Sequence, residues 1–202
     1  MYIYPFFRKK KQRVKMIEDI RKAISILQAG GVILYPTDTI WGLGCDATNE
    51  AAVKRLFEIK KRIDTKAVLV LLDNPGKLEQ YIDTVPDIAW ELIECTDKPL
   101  TIIYPEAKNL ASNLLGEDRS IGIRITTEAF SKTLCKEFKR PIVSTSANIS
   151  GEKSPQHFGE ISREIIDSVD FVVNYRQNET TTANPSSIIR VKKGNVIEII
   201  RA

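Results

Sequence analysis

Four segments of the chain combine residue types that do chemistry with spacings that would gather them at one site. Lys60, Lys61 and Arg62 follow an amphipathic stretch and precede an apolar one. An ammonium and a forked guanidinium two residues apart suit phosphate oxygens, although a basic triplet also fits a solvated helix end. Pro141-Ile142-Val143 runs directly into Ser144-Thr145-Ser146-Ala147-Asn148-Ile149-Ser150-Gly151. Its hydroxyls and its amide are neutral donors and acceptors with no activating base nearby in sequence, so binding of polar oxygens fits better than covalent catalysis. Tyr35-Pro36-Thr37-Asp38-Thr39-Ile40-Trp41-Gly42-Leu43-Gly44 sets two hydroxyls and a carboxylate beside a Gly-x-Gly turn. That makes a wall for a small zwitterion such as an amino acid, or simply a turn. Arg124 interrupts the apolar run Ile121-Gly122-Ile123-Arg124-Ile125. A buried arginine needs an anion, supplied by a ligand or by a structural ion pair.

Several familiar chemistries find no support. The sequence contains no GxxxxGK[ST] and hence no ordinary P-loop. Gly42-Leu43-Gly44-Cys45-Asp46-Ala47 matches the looser pattern GxGxxA, but that fingerprint needs a tight strand-to-helix turn, and residues 36–41 intervene after the strand. His157 is the only histidine and sits beside Pro155 without an HExxH-type companion, so it reads as a surface residue and no protein-borne metal site is expected. Cys45, Cys95 and Cys135 are odd in number and scattered, which suits a reducing cytosol better than a disulfide framework. No apolar run approaches the roughly 18 residues of a membrane span, and the basic start lacks a signal-peptide core. The protein reads as cytoplasmic, with no membrane partner. Its net charge of +4 is local: residues 1–15 carry six Lys/Arg and no acid, leaving −2 for the rest. The run is read as a solvated extension before the first helix, with a nucleic-acid arm as the competing reading.

These groups must be positioned by a regular scaffold, and the periodicities supply one. Ile17, Ile20, Ile24 and Leu27 recur at helical spacing, with Gly30-Gly31 just beyond. Val32-Ile33-Leu34-Tyr35 closed by Pro36 reads as a buried strand opening into a loop over 37–49, after which Asn49 is suited to cap a helix. Further strands are predicted over 66–72, 99–104, 120–125, 141–145, 171–174, 187–191 and 196–200, and helices near 75–81, 86–95, 128–138 and 158–167. Residues 175–185, rich in Asn, Thr and Gln, read as a mobile loop. The class is therefore α/β with a mixed, open sheet, in one domain over 16–202 behind the extension at 1–15.

In this order the segments resemble the YrdC family of threonylcarbamoyl-adenylate synthases. Tyr35-Pro36-Thr37-Asp38-Thr39 with Trp41-Gly42-Leu43-Gly44 is similar to the family's YPT[ED]T-x-[YF]GLG, and Lys60-Lys61-Arg62 to its K-x-R element. Pro99-Leu100-Thr101 resembles its PLT strand, and Ile121-Gly122-Ile123-Arg124 its [VI]-x-[VI]-R strand. Ser146-Ala147-Asn148-Ile149-Ser150-Gly151, followed by Ser154-Pro155, resembles SAN-x-SG. Ser186-Ser187-Ile188-Ile189 resembles its ST-[IV]-[IV] strand, and Arg201 its late arginine. Lys61 and Ile63 depart from the Gly and Pro common around the basic pair, Leu71 from a histidine, and Pro185 from a glutamate; residues 175–184 replace a glycine-rich loop.

The resemblance implies a twisted open mixed sheet with flanking helices and a concave cationic ligand face. It also implies a nucleotidyltransferase that makes threonylcarbamoyl-AMP and pyrophosphate from L-threonine, bicarbonate or CO2, and ATP with Mg2+. Lys60, Arg62 and Arg201 would hold phosphate, while Thr101, Ser144, Ser146, Asn148 and Ser154 would position nucleotide or phosphate. Lys60, Arg62, Ser146 and Asn148 form the catalytic set, and Thr37, Thr39, Arg124 and Ser186 face L-threonine. The product would pass to a separate tRNA threonylcarbamoyl transferase, and this chain's own contact with tRNA or double-stranded RNA need only be weak. The competing readings are a YciO-like paralogue that binds nucleotide without turnover and a nucleic-acid-binding module.

Overall fold

Apolar runs closed by Pro, Gly or polar loops become short strands, and the capped amphipathic stretches become helices. The computed structural model describes residues 4–61, 68–182, 184–192 and 194–202, with side chains from Gln12 onward. The strands are β1 (Ile33–Tyr35), β2 (Gly42–Gly44), β3 (Leu69–Leu72), β4 (Leu100–Tyr104), β5 (Ile121–Ile125), β6 (Ile142–Ser146), β7 (Phe171–Val172), β8 (Ser187–Lys192) and β9 (Val196–Arg201). The helices are α1 (Tyr4–Gln28), α2 (Glu50–Ile59), α3 (Asp87–Cys95), α4 (Ala129–Phe138) and α5 (Arg163–Ser168). Asn49 caps α2 as expected, its side chain accepting from the Ala51 and Ala52 amides at 3.0 and 3.1 Å. Residues 75–80, predicted helical, form a 3-10 helix, as does the first part of the 158–167 stretch.

The strands make one twisted sheet in the order β7-β1-β2-β6-β3-β5-β4-β8-β9. It is mixed: β1–β7, β3–β5 and β4–β8 run parallel, and the remaining pairs run antiparallel. Helix α4 buries Phe130, Leu134, Cys135 and Phe138, and α1 buries Ile20, Ala23 and Leu27. Each large apolar side chain removed from water in this way contributes roughly 1.5–3 kcal/mol.

Two features differ from the sequence-based expectation. The basic run does not precede the first helix but lies within it, because α1 begins at Tyr4 and Gln12 to Lys15 are exposed on its surface. Lys, Arg and Gln are good helix formers, so the helix propagates beyond the part anchored by Ile20, Ala23 and Leu27. Within the predicted 37–49 loop, Gly42-Leu43-Gly44 is strand β2, lying between β1 and β6. Glycine is required there by close approach: a Cβ on Gly44 would stand 2.6 Å from the Tyr35 ring and 2.8 Å from the Val143 carbonyl oxygen.

Strand register assembles one face. Leu71 pairs with Arg124, Arg124 with Thr101, Thr101 with Ile188, and Ile188 with Arg201. Ser144 pairs with Leu69, two residues from Leu71, and therefore shares that face. The last link depends on a register shift between Ile188 and Ile189, where β9 carries one extra residue. Without it Ile200, rather than Arg201, would stand opposite Ile188.

Candidate active site

That face opens into a cavity of about 560 Å3. Its floor is the sheet and its walls are three connections: the 37–41 loop, the end of α2, and the segment from Ser146 to Ser154. Thr39, Lys60, Arg124, Ser144 and Ser146 line it, as do Asn148, Ser154, Ser186 and Arg201. Thr37 and Thr101 are buried behind this lining, and Arg62 lies outside the described residues.

The site is held by cations that bind the chain's own oxygens. Lys60, 2% exposed at the end of α2, donates from Nζ to the Ser146 and Asn148 carbonyls at 2.6 and 2.7 Å. The Ser150 amide donates back to the Lys60 carbonyl at 2.9 Å. The Asn148 amide nitrogen donates to the carbonyls of Ile149 and Glu152 at 2.8 and 3.0 Å. Lys60 and Asn148 thus fix the segment's path while its hydroxyls remain along the cavity. Lys61 takes a left-handed conformation, φ +49°, and sends its ammonium to the rim, where it pairs with Glu164 at 2.6 Å.

Across the cavity Arg124, 3% exposed, pairs through Nη2 with Asp38 Oδ1 at 3.0 Å. Asp38 is the buried anion that the sequence required, and it comes from the Pro-Thr-Asp-Thr loop itself. Burial raises the Asp38 carboxyl above its ordinary range, against the opposing pull of Arg124. Arg124 Nε, itself buried, has no hydrogen-bond partner among the described residues. At the far end the Thr101 and Ser186 hydroxyls share a hydrogen bond of 2.8 Å. Arg201 donates from Nε and Nη2 to the Ser186 carbonyl at 2.9 and 2.7 Å. Burial, together with the nearby Arg124, lowers the Arg201 pKa. Thr101 and Ser186, assigned to different ligands from sequence, therefore form one unit with Arg201.

Thr37 serves its own loop: its hydroxyl donates to the Ile40 carbonyl at 2.8 Å and accepts from the Thr39 amide at 3.1 Å. Sequence reasoning gave no separate role to Trp41 or Arg176 and no partner to Asp38. Trp41 lines the cavity and packs against Phe158 with ring centroids 4.9 Å apart. Asp38 pairs with Arg124, and its place between two candidate threonines was a usable signal. Arg176 reaches the Thr37 carbonyl from outside, and nothing in its irregular surroundings marked it. Among the described residues the lining includes no His, Cys, Asp or Glu. The hydroxyls accordingly have no base beside them, and the arrangement can bind and orient anions but does not resemble a nucleophile–base pair.

Residues 25–202 match the Sua5/YciO/YrdC family model, described as telomere recombination. The chain belongs to that family. A threonylcarbamoyl-AMP synthase of Pseudoalteromonas translucida is 36% identical over 180 residues, covering 88% of this chain and 95% of the relative. Among solved structures, a double-alanine variant of P. abyssi Sua5 superposes with a TM-score of 0.82 at 26% identity, covering 90% of this chain and 55% of that one. P. abyssi Sua5 complexed with L-threonine superposes with a TM-score of 0.77 at 25% identity, covering 88% and 52%. The chain thus spans about half of P. abyssi Sua5 and nearly all of the bacterial synthase. Among the described residues no helix is long and apolar enough to cross a membrane.

Proposed function

We propose that this chain is a threonylcarbamoyl-AMP synthase, a nucleotidyltransferase that uses L-threonine, bicarbonate or CO2, and ATP. The observation that carries the reading is the match to a synthase over 95% of that relative's length, with the family's polar segments converging on one cavity. A cavity of about 560 Å3 falls within the range of small-molecule sites.

In the proposed reaction the neutral amine of threonine adds to CO2 and releases a proton, giving N-carboxy-threonine. One oxygen of the new carboxylate then bonds to the α-phosphorus of ATP as the bond to pyrophosphate breaks. Both partners are anionic, so the task of the protein is to align them and offset their repulsion. Arg124, a guanidinium in the cavity lining, suits the threonine carboxylate, with Thr39 and Ser186 as neutral partners. The hydroxyls of Ser144, Ser146 and Ser154 suit nucleotide and phosphate oxygens, within a wall that Lys60 and Asn148 hold in shape. Arg62 joins the phosphate side on the strength of the family motif alone. Arg201 and Thr101 fix Ser186 between the two groups. Mg2+ would enter as part of Mg·ATP, sharing the charge of the phosphates.

The product, a mixed anhydride, would be consumed by a separate tRNA threonylcarbamoyl transferase in the cytoplasm, with at most weak tRNA or double-stranded RNA contact by this chain. The test is incubation with Mg·ATP, bicarbonate and L-threonine, with mass detection of the adenylate and assay of pyrophosphate. Release should require both L-threonine and bicarbonate. Equal release with either omitted refutes the reading.

A further inference from the structure

The loop that presents Thr39 to the cavity, residues 37–41, lies between strands β1 and β2, and its internal hydrogen bonds are those of the Thr37 hydroxyl. Two arginines hold it. On the cavity side Arg124 pairs with Asp38. Arg176 Nη1 donates to the Thr37 carbonyl at 3.1 Å, and the Arg176 charge also acts on Asp38. These two contacts hold consecutive residues, Thr37 and Asp38. Together they set where Asp38 and Thr39 point.

Arg176 is itself held in place by its surroundings. Its Nε donates to Glu179 Oε2 at 2.7 Å, and its Nη1 lies 3.4 Å from Glu128 Oε1. The other Glu128 oxygen caps α4, accepting from the Ser131 amide at 2.8 Å and the Ser131 hydroxyl at 3.0 Å. Glu128 therefore cannot swing toward the arginine without uncapping the helix. The Arg176 backbone lies in the left-handed region, φ +67°, which a non-glycine residue keeps only when its neighbours enforce it. Asp19 of α1, 5% exposed, supplies that enforcement. It accepts from the Asn174 and Tyr175 amides at 2.9 and 2.8 Å, and from the Asn174 side chain at 3.0 Å. The Tyr175 ring stacks on Phe130 of α4 with centroids 5.9 Å apart. Contacts from α1 and α4 thus deliver one guanidinium to the Thr37 carbonyl of the loop.

We propose that Arg176 is a positioning residue for the amino-acid side of the reaction, acting through the Thr37 carbonyl to fix Asp38 and Thr39. The role rests on the synthase reading, in which Thr39 and Arg124 face L-threonine. The nucleotide side is held separately, by Lys60 and Asn148 on the 146–154 segment, so the two halves of the site respond differently when Arg176 is changed.

The experiment compares the full chain with Arg176→Ala and Arg176→Lys, reading KM for L-threonine and for ATP together with amide hydrogen exchange without substrates. Loss of one charge-assisted hydrogen bond that orients the loop should raise KM for L-threonine about tenfold in Arg176→Ala, with KM for ATP within about twofold. Arg176→Lys, which keeps one donor but loses the fork, should recover part of the loss. Peptides over 36–42 should exchange faster in Arg176→Ala, while peptides over 142–150 stay unchanged. Equal rises in both KM values, or unchanged exchange over 36–42, would overturn the proposal, because a merely structural arginine would destabilise the chain without singling out one loop. Exchange needs no substrate, so it decides the positioning role even if the unmodified chain releases no pyrophosphate. That second result would remove the synthase reading instead.

Discussion

Replacing Lys60 by Met removes the ammonium but keeps most of the side chain's length, and so isolates the charge from the volume it fills. In the native chain the ammonium serves the Ser146 and Asn148 carbonyls at 2.6 and 2.7 Å. Each hydrogen bond to a charged group contributes about 1.5–3 kcal/mol, so two lost together would suggest about 3–6 kcal/mol. Two effects reduce that figure: a buried ammonium no longer has to be desolvated, and water from the adjoining cavity can reach the freed carbonyls. A net loss of about 2–3 kcal/mol remains, equivalent to roughly 4–12 °C in the thermal midpoint of a domain of this size. Turnover should fall further, by about 10²–10³, because both the local positive charge and the path of the 146–154 segment are disturbed. Lys61→Ala is the internal control, since its side chain is 62% exposed and pairs with an equally solvated Glu164. It should leave turnover and midpoint unmoved. The assay is threonine- and bicarbonate-dependent pyrophosphate release, with circular dichroism to follow unfolding. If Lys60→Met kept turnover within twofold of the unmodified chain, the clamp would be irrelevant to function. Equal, mild losses in both variants would mean that the Lys60 charge contributes no more to turnover than that of a solvated lysine.

Two further outcomes follow from buried and half-buried pairs. Asp38→Asn leaves Arg124 buried without its carboxylate, and should destabilise the chain by about 3–5 kcal/mol in denaturant unfolding; a loss near zero would mean that Arg124 finds another partner or water. Asp170 accepts both arms of Arg55 and the Val32 amide, and its carboxyl is held below the ordinary range, chiefly by Arg55. In the acid window the native state therefore binds fewer protons than the unfolded state, so this contribution is present above about pH 4 and disappears as pH falls through the depressed value. Asp170→Asn should have a lower thermal midpoint at neutral pH and converge on the unmodified chain in acid. A gap that widens on acidification would contradict the assignment.

Much of the scaffold is legible in the sequence because burial on both faces forces near-continuous apolar runs, as in Ile142-Val143 of β6 and Leu69 to Leu72 of β3. Strand β2 is not, because Gly-Leu-Gly offers almost no side-chain signal, and it exists through pairing with β1 and β6. The extent of α1 is missed for the opposite reason: its core-facing pattern covers only the later turns. Strand order is also hidden, since nothing local says that β3 inserts between β6 and β5. In the site, the residue types could be read but their partners could not. Arg124 demanded an anion, and only the fold shows that it is Asp38. Lys60 could be read as a cation for phosphate, but its contacts with the Ser146 and Asn148 carbonyls could not. Thr101 and Ser186, 85 residues apart in the chain, become hydrogen-bonded neighbours through the parallel pairing of β4 with β8.

The electrostatics of the cavity connect these pieces to the proposed chemistry. Lys60 and Arg124 are nearly fully buried, and Arg201 is brought to the same cavity by the irregularity in β9. Gathering cations away from water is unfavourable, and partial burial, with Arg124 nearby, lowers the Arg201 pKa accordingly. The chain offsets part of it internally, through Asp38 for Arg124 and through carbonyl oxygens for Lys60 and Arg201. Carbonyls carry only partial charge, so on the proposed reading these cations would still favour anions entering the cavity. An anionic carbamate and an anionic phosphate placed there would be drawn together by the same charges that destabilise the empty site. Alignment would then come from two loops braced independently, one by Lys60 and the other by Arg124 and Arg176. A reaction between two anions needs that bracing more than it needs a nucleophile, which accounts for a site rich in cations and hydroxyls whose described lining contains no carboxylate, thiol or imidazole.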